Sequence, residues 1–279
     1  IVAVGDICNN SLTITQKQKG RILYYNFYET SGWVPAIAAE RIISATKLAG
    51  EFVKIRQAGS IVPHAPYSVS NQLWDLLQPL FFGQVVTIHN QECAAENELF
   101  MEGRGDFLRM YETMKIDHSH YQPSGTSSVR FYFPKMKQAA NIILVHNSFI
   151  SDDDLKFIAS TKENFSQQNV FFCLCPNANY YIERVMPPVE LLRQHKVDIV
   201  LGTDSLASNH SLDIMSEIRM IRRHFPDIPK EELLRWATIN GAKALMLDQM
   251  LGSFEKGKRP GVIAMKGDFE EVEVVKWWA

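Results

Sequence analysis

The chain has 279 residues, of which 46% are hydrophobic and 11% aromatic, so it can bury a large core and is not a disordered protein. Its 29 Lys and Arg residues nearly balance its 31 Asp and Glu residues, and the net charge is −2. This balance excludes a polybasic nucleic-acid binder, because such proteins depend on neutralising phosphates. The length fits one large α/β barrel or two smaller domains.

The cysteines and the apolar runs indicate a cytoplasmic protein with no membrane partner. Four cysteines are too few for a disulfide framework in a chain of this length, and we expect them to be reduced. No apolar run approaches the ~18 residues of a membrane span. The chain starts at Ile1, inside an apolar run and without Met, so we expect that upstream sequence is missing and would hide any leader.

Seven short runs rich in Val, Ile, Leu and Phe predict seven β-strands along the chain. Each run is almost continuously apolar, which is typical of strands buried on both faces of a parallel sheet. The predicted strands are Ile1–Val4, Ile22–Phe27, Ile61–Pro63, Val85–Ile88, Ile142–Val145, Val170–Leu174 and Asp198–Leu201.

Amphipathic stretches between these runs predict helices. Residues 35–57 carry apolar side chains at three- and four-residue steps, and Gly59 follows as a stop signal. Ser151 is a predicted N-cap, and the acids Asp152–Asp154 after it are expected to form a solvated first turn at the positive end of a helix rather than a metal cluster. A further helix is predicted to open near Asp227 and to continue to about Leu247. The alternation of strands and helices indicates right-handed βαβ units.

The strand count predicts an α/β fold built as a TIM-like (β/α) barrel that lacks its first strand. Such barrels have eight strands, and seven are present here. The abrupt start at Ile1 is consistent with a first strand and helix that lie upstream.

Polar residues that suit a metal site follow several of the predicted strands. His64, His89 and His146 each come directly after a strand, Asp204 lies three residues after one, and Glu92 follows His89 by three residues. In a barrel, the residues that carry chemistry lie at the carboxyl ends of the strands. Imidazole nitrogens and a carboxylate suit Zn²⁺ or Fe²⁺, and two His with one Asp leave positions open for a water molecule.

The remaining polar motifs give weaker signals. His118 and His120 form an HxH, but no apolar strand precedes it, and a loop facing the substrate is the better functional interpretation. His195 and His224 lie at predicted helix ends and are expected to be structural. The sequence has neither a GxSxG elbow nor a GxxxxGK[ST] phosphate loop.

Seven segments together resemble the amidohydrolase superfamily. They are Pro63–Ser68, the HxxE of His89–Glu92, Leu144–His146, Cys175–Asn179, Leu201–Asn209, Ala237–Leu245 and Gly252–Lys258. They occur in the family's order and cover nearly the whole chain. The resemblance is to the cytosine deaminase-like branch, which includes chlorohydrolases and aminohydrolases of triazines, guanine and adenosine derivatives. Its most specific parts are the HxxE and the LGTDSxxSN segment.

The resemblance implies a centre with one divalent metal ion, for which zinc is favoured and iron is the alternative. It implies that His89 and Asp204 bind the metal, and that His146 either binds it or hydrogen-bonds its water. It also implies that Glu92 shuttles protons and that His64 binds the substrate. Asp204 would take the proton of the attacking water, so Glu92 and Asp204 are the expected catalytic residues.

The sequence departs from the family in its N-terminal part. Relatives carry two further ligands as an HxH on the first barrel strand, and both chain ends build a small β-sandwich. Residues 1–262 are therefore expected to form an incomplete barrel, and residues 263–279 to supply the C-terminal strand of that sandwich. With the HxH absent from this position, we expect the chain as given to be inactive.

The resemblance implies a metal-dependent hydrolase of non-peptide C–N bonds. The expected reaction is hydrolytic deamination of an amino-substituted heterocycle, such as a purine, a pyrimidine or a related nucleoside. The expected partners are a small-molecule substrate and, as in relatives, a second copy in a homodimer. The alternatives are a cyclic-amide hydrolase or chlorohydrolase of the same fold, and a metal-free binding protein without activity.

Overall fold

Strands and helices alternate along most of the chain. The computed structural model describes residues 1–163, 165, 168–267, 269 and 271–273. The strands are β1 (Ala3–Cys8), β2 (Leu23–Thr30), β3 (Ala58–Pro63), β4 (Val85–Asn90), β5 (Asn141–His146), β6 (Asn169–Leu174), β7 (Asp198–Leu201), β8 (Ala264–Lys266) and β9 (Glu271–Glu273). The first seven correspond to the seven predicted strands. The largest difference is at β1, which begins and ends later than predicted.

The first seven strands form two parallel sheets in chain order. One sheet contains β1, β2 and β3, and the other contains β4, β5, β6 and β7. The facing edges β3 and β4 are joined by hydrogen bonds, because the His89 amide donates to the His64 carbonyl at 2.9 Å and the Ser60 hydroxyl donates to the Val85 carbonyl at 2.5 Å. The strand ends that carry the predicted site therefore lie side by side.

Helices connect the strands of both sheets. They are α1 (Ile14–Lys17), α2 (Ala38–Lys54), α3 (Asn71–Leu77), α4 (Ala94–Glu102), α5 (Asp106–Thr113), α6 (Ser128–Tyr132), α7 (Asp152–Lys162), α8 (Pro176–Glu183), α9 (Val189–Gln194), α10 (Ile214–His224), α11 (Lys230–Ala237) and α12 (Ile239–Ala244). The N-cap prediction at Ser151 is confirmed, since its hydroxyl accepts the Asp154 amide proton. The single helix predicted from Asp227 to Leu247 is wrong. Thr238, with φ −128° and ψ −91°, separates α11 from α12.

The largest apolar cluster lies where the central strands meet the helices. Val86 and Ile88 of β4, Leu144 of β5, and Phe172 and Leu174 of β6 are all almost completely buried. Each such side chain contributes about 1.5–3 kcal/mol to the free energy of folding when it leaves water. This burial explains the continuous apolar runs of the sequence, because both faces of these strands are covered.

The C-terminal part adds a short antiparallel hairpin of β8 and β9. Of the alternating segment Glu271–Trp278, β9 contains the first three residues, and residues 274–279 lie outside the described part of the chain. All four cysteines are free thiols, as predicted. Among the described residues, no helix has the length and apolar character needed to cross a membrane.

Candidate metal centre

The five residues predicted for the site lie together at the carboxyl ends of the strands. The His64 and His89 ring centres are 4.9 Å apart, and those of His89 and His146 are 5.4 Å apart. Glu92, His146 and Asp204 place one donor atom each within 4.8 Å of one another. Neighbouring parallel strands therefore bring residues that are far apart in sequence onto one rim.

A second group of donors contains Glu29, which was not among the predicted site residues. Glu29, His64 and His89 also hold donor atoms within 4.8 Å of one another, and Glu29 Oε2 is 3.9 Å from His89 Nδ1. Glu29 is the penultimate residue of β2. The predicted strand ended at Phe27. Glu29 was therefore not recognised as a residue near the carboxyl end of a strand, which is the feature that identified the other residues.

The orientation of His89 leaves one ring nitrogen free to bind a metal. His89 Nδ1 lies 2.8 Å from the carbonyl oxygen of His64, which can only accept a hydrogen bond. The proton of the neutral ring therefore stays on Nδ1, and Nε2 keeps its lone pair. A histidine that binds a metal through one ring nitrogen usually donates the N–H of its other ring nitrogen to a carbonyl or carboxylate oxygen in this way.

His146 is buried on a left-handed stretch of backbone. Its φ is 76° and that of Asn147 is 60°, which points the ring of the last β5 residue into the site. His146 Nε2 is 3.4 Å from Glu92 Oε1, and Nδ1 is 3.1 Å from the side-chain amide of Asn179. Burial, followed by the charge of His89, lowers the pKa of His146 to about 3. The ring is therefore neutral at physiological pH.

The amide of Asn179 determines which nitrogen of His146 carries the proton. With Nδ2 facing the ring, Asn179 Oδ1 is buried and has no hydrogen-bond partner among the described residues. The flipped amide turns Oδ1 toward Nδ1, accepts its proton and leaves the Nε2 lone pair free. Of the two orientations of the Asn179 amide, the flipped one is therefore the one compatible with a metal on His146 Nε2.

Asp204 also has a left-handed backbone, with φ 56°. Its Oδ1 accepts the Ser205 amide proton at 2.7 Å, and Oδ2 accepts the hydroxyl proton of Ser208. These two bonds hold the carboxylate in place and leave two of its roughly four acceptor positions available for a metal or a water molecule.

Burial shifts the pKa of the other two groups, Glu92 and His64. It raises the pKa of Glu92, the neighbouring His89 opposes this shift, and the charge of Asp204 adds to it. Burial and then His89 lower the pKa of His64 to about 4, so that ring is also neutral. A buried carboxyl with a raised pKa, next to the neutral ring of His146, is suited to proton transfer.

The donor set fits a divalent ion of borderline softness. His89 and His146 are poised to offer imidazole nitrogens, and Asp204 offers carboxylate oxygens, which is the chemistry that zinc and iron(II) sites use. Because His146 is already neutral, it does not have to lose a proton before it binds a cation.

The remaining candidates lie outside this cluster. His118 and His120 are in a loop and contact the rings of Tyr111 and Trp33. His195 is the C-cap of α9, as expected for a histidine at a helix end, and its Nε2 is 2.7 Å from Asp152 Oδ1.

One expectation about the acids after Ser151 was partly wrong. Asp152 is exposed and pairs with Lys156, but Asp154 is buried. It accepts hydrogen bonds from Ser127, Gln91 and Ser151, and these bonds lower its pKa against the effect of burial. Asp154 therefore belongs to the support of the site and not to a solvated first turn.

The sequence matches the amidohydrolase family over residues 54–277. The chain belongs to this family. It is 31% identical over 211 residues to the 5-methylthioadenosine/S-adenosylhomocysteine deaminase of Pyrococcus horikoshii, an alignment that covers 72% of this chain and 43% of the relative. It is 29% identical over 206 residues to the adenosine deaminase of Helicobacter pylori, with 72% and 48% covered. The amidohydrolase chain thus spans about half the length of these relatives.

Solved structures show the same fold. The aminofutalosine deaminase of Helicobacter pylori, in complex with methylthio-coformycin, superposes with a TM-score of 0.76 at 23% identity, over 92% of this chain and 62% of that one. The atrazine chlorohydrolase of Arthrobacter aurescens, complexed with zinc, gives a TM-score of 0.64 at 14% identity, with 92% and 58% covered. The mixed α/β fold with parallel sheets is therefore that of amidohydrolases.

Proposed function

We propose that this amidohydrolase is a metal-dependent deaminase that removes an amino group from a purine of the adenosine class by hydrolysis. The observation that carries the proposal is the cluster of Glu92, His146 and Asp204, whose donor atoms lie within 4.8 Å of one another. A protonatable carboxyl beside metal-binding groups is the minimum that hydrolytic deamination requires. The deaminase relatives support the substrate class.

The proposed architecture is an incomplete (β/α) barrel over residues 1–262, followed by the C-terminal strand of a small β-sandwich over residues 263–279. The seven parallel strands in chain order support the first part. The β8–β9 hairpin is consistent with the second.

His89, His146 and Asp204 would hold the metal ion, with zinc favoured over iron. When bound, zinc supplies the Lewis acidity that makes water an effective nucleophile near neutral pH. The structure of the zinc-bound chlorohydrolase supports zinc as the metal of this fold.

The side chains divide the proton transfers between them. The Asp204 carboxylate takes a proton from the attacking water through its free acceptor positions. Glu92, whose pKa is raised by burial, protonates a ring nitrogen of the substrate and then assists the departure of ammonia. The neutral ring of His64 holds the substrate by a hydrogen bond.

The role of Glu92 predicts the result of one substitution. In the product of the complete gene, Glu92→Gln should lower kcat by at least about 100-fold, since the amide cannot transfer the proton. The zinc content should remain unchanged, because Glu92 is not a proposed ligand. Ammonia release from a panel of adenosine derivatives and elemental analysis measure the two quantities. Glu112→Gln, at an exposed position of α5, is the matched control. Turnover equal to wild type would contradict the role.

A second candidate reaction is hydrolytic dechlorination, which the fold similarity to the atrazine chlorohydrolase favours. A panel that contains amino- and chloro-substituted heterocycles separates the two reactions. Chloride release without ammonia release would replace the deaminase proposal.

The third alternative is a metal-free binding protein. We propose that the 279-residue chain by itself binds zinc weakly and is inactive, since His89, His146 and Asp204 provide three ligands and the family resemblance implies two more. Elemental analysis after dialysis tests this proposal. Tightly held stoichiometric zinc would show that three ligands are sufficient.

A further inference from the structure

The backbone just before Glu92 is held in a conformation that a non-glycine residue adopts rarely. Gln91 has φ 45° and lies between the last residue of β4 and Glu92. Such a conformation costs of the order of 1 kcal/mol and persists only when its surroundings enforce it. The turn at Gln91 also decides the direction in which the Glu92 side chain leaves the strand.

Hydrogen bonds hold Gln91 on every side. Its amide donates to Glu96 Oε1 at 3.0 Å, and its carbonyl accepts from the Phe149 amide at 3.0 Å. Its side-chain amide donates to Asp154 Oδ2 at 3.0 Å and to Asn97 Oδ1 at 3.1 Å. The turn is therefore tied to α4, to α7 and to the loop after β5.

The carboxyl of Glu96 is buried in a way that stability alone does not explain. Its side chain has no exposed surface, and Oε1 accepts both the Gln91 amide and the Ser128 hydroxyl. Oε2 is buried and has no hydrogen-bond partner among the described residues. Burial raises the pKa of Glu96 to about 8, so it is mainly the neutral acid at pH 7. Burying such a group costs free energy, which an apolar residue would avoid.

We propose that Glu96 is a positioning residue for Glu92, acting through the left-handed turn at Gln91. By accepting the Gln91 amide proton, Glu96 fixes the turn that directs the Glu92 carboxyl toward His146 Nε2, 3.4 Å away. The inference rests on the proposed function only in assigning proton transfer to Glu92. The geometric part, that Glu96 sets the position of Glu92, stands independently of the reaction.

Two substitutions of Glu96 separate positioning from structural support. Glu96→Gln keeps an oxygen that can accept from Gln91 and Ser128, and it copies the neutral acid. Glu96→Met keeps a similar volume but removes the acceptor. Glu102→Gln, at the exposed end of the same helix α4, is the control. All three are made in the product of the complete gene.

The kinetic outcome expected is specific to positioning. Glu96→Gln should retain kcat within a few-fold, whereas Glu96→Met should lower kcat by about 100-fold, the loss expected when a reacting group moves by about 1 Å. KM and zinc content should change little, because neither the proposed ligands nor His64 is touched. Wild-type kcat in Glu96→Met, or an equal loss in Glu96→Gln, would overturn the proposal.

A structural measurement distinguishes failure of this proposal from failure of the proposed function. Crystal structures of the two variants should show the Glu92–His146 contact retained with Gln and lost with Met. If the wild-type protein releases no ammonia but this contrast appears, the deaminase function fails and the positioning role holds. An unmoved Glu92 in Glu96→Met sinks the positioning role. If Glu96→Met does not fold, Ser128→Ala with Gln91→Ala provides a second structural test, because it removes the neighbouring side-chain bonds and keeps the bond from the Gln91 amide to Glu96. Glu92 should then stay in contact with His146, and a displaced Glu92 would overturn the proposal.

Discussion

Two glutamates four residues apart, Glu92 and Glu96, have different environments and different proposed uses. Glu92 faces His146 at the site, while Glu96 is completely buried behind it and holds the backbone of Gln91. Burial raises the pKa of both carboxyls. At the site the raised pKa favours the protonated form that the proposed proton transfer requires, whereas behind the site burial keeps Glu96 mainly uncharged at pH 7.

The buried Glu96 predicts a pH-dependent contribution to stability. Its folded pKa of about 8 lies above the ordinary value of 4.5, so the contribution is complete below pH 4.5 and is lost as the pH rises through 8. From pH 6 to pH 9, the free energy of unfolding of wild type should fall relative to that of Glu96→Gln by on the order of 3 kcal/mol. Urea denaturation of both proteins at the two pH values measures this difference. A constant difference would mean that Glu96 is already ionised at pH 6.

At the scale of elements, the close approach of β2 and β3 explains why residue 59 is a glycine. From the sequence alone, Gly59 was interpreted only as a signal that ends the preceding helix. Gly59 pairs with Asn26 in the parallel register, and a Cβ at Gly59 would lie 2.2 Å from the Asn26 carbonyl oxygen. The strands can accept a side chain there only by moving apart. The Gly59–Asn26 pair lies in the sheet of β1, β2 and β3. In that sheet, Glu29 lies near the end of β2 and His64 directly follows β3.

Gly59→Ala should therefore destabilise the protein by several kcal/mol, at the upper end of single substitutions. Gly50→Ala is the matched control, since Gly50 lies within α2 and its added Cβ would meet no atom within 4 Å. Removing a helical glycine should stabilise by about 0.5–1 kcal/mol. Thermal unfolding of the two variants measures both effects. Equal melting temperatures would show that β2 and β3 separate without cost.

At the scale of the whole molecule, the site couples the two sheets. His64 follows β3 in one sheet, while His89 and His146 belong to the other. Asp204 follows β7, at the far side of the second sheet. An ion held by these groups links elements that are separated in sequence, and its binding therefore favours the folded state.

Zinc should accordingly raise the melting temperature of the complete gene product, and chelation should lower it. At a free zinc concentration 100 times the Kd, the gain is about 2.7 kcal/mol. Asp204→Ala should remove most of this increment, while Asp227→Ala, at an exposed position, should retain it. Differential scanning calorimetry with and without zinc makes the measurement. A full increment in Asp204→Ala would exclude Asp204 as a ligand.

The order of strands and helices and the placement of His64, His89, His146 and Asp204 at strand ends could be predicted from the sequence. These features depend on local hydrophobic patterns and on the rule that neighbouring parallel strands end at the same edge. Glu92 was also found this way, through its spacing from His89.

Contacts between distant segments were decided only by the tertiary structure. They brought Glu29 into the site, placed Asn179 against His146, and buried Glu96 and Asp154 around the left-handed turn at Gln91. The break at Thr238 between α11 and α12 was not predicted either. A local pattern reports whether a residue is apolar and how its neighbours repeat, but the environment of a buried polar group is set by residues far away in the chain. For this reason the sequence indicated the residues proposed to bind the metal, and the fold determined the residues that hold them in position.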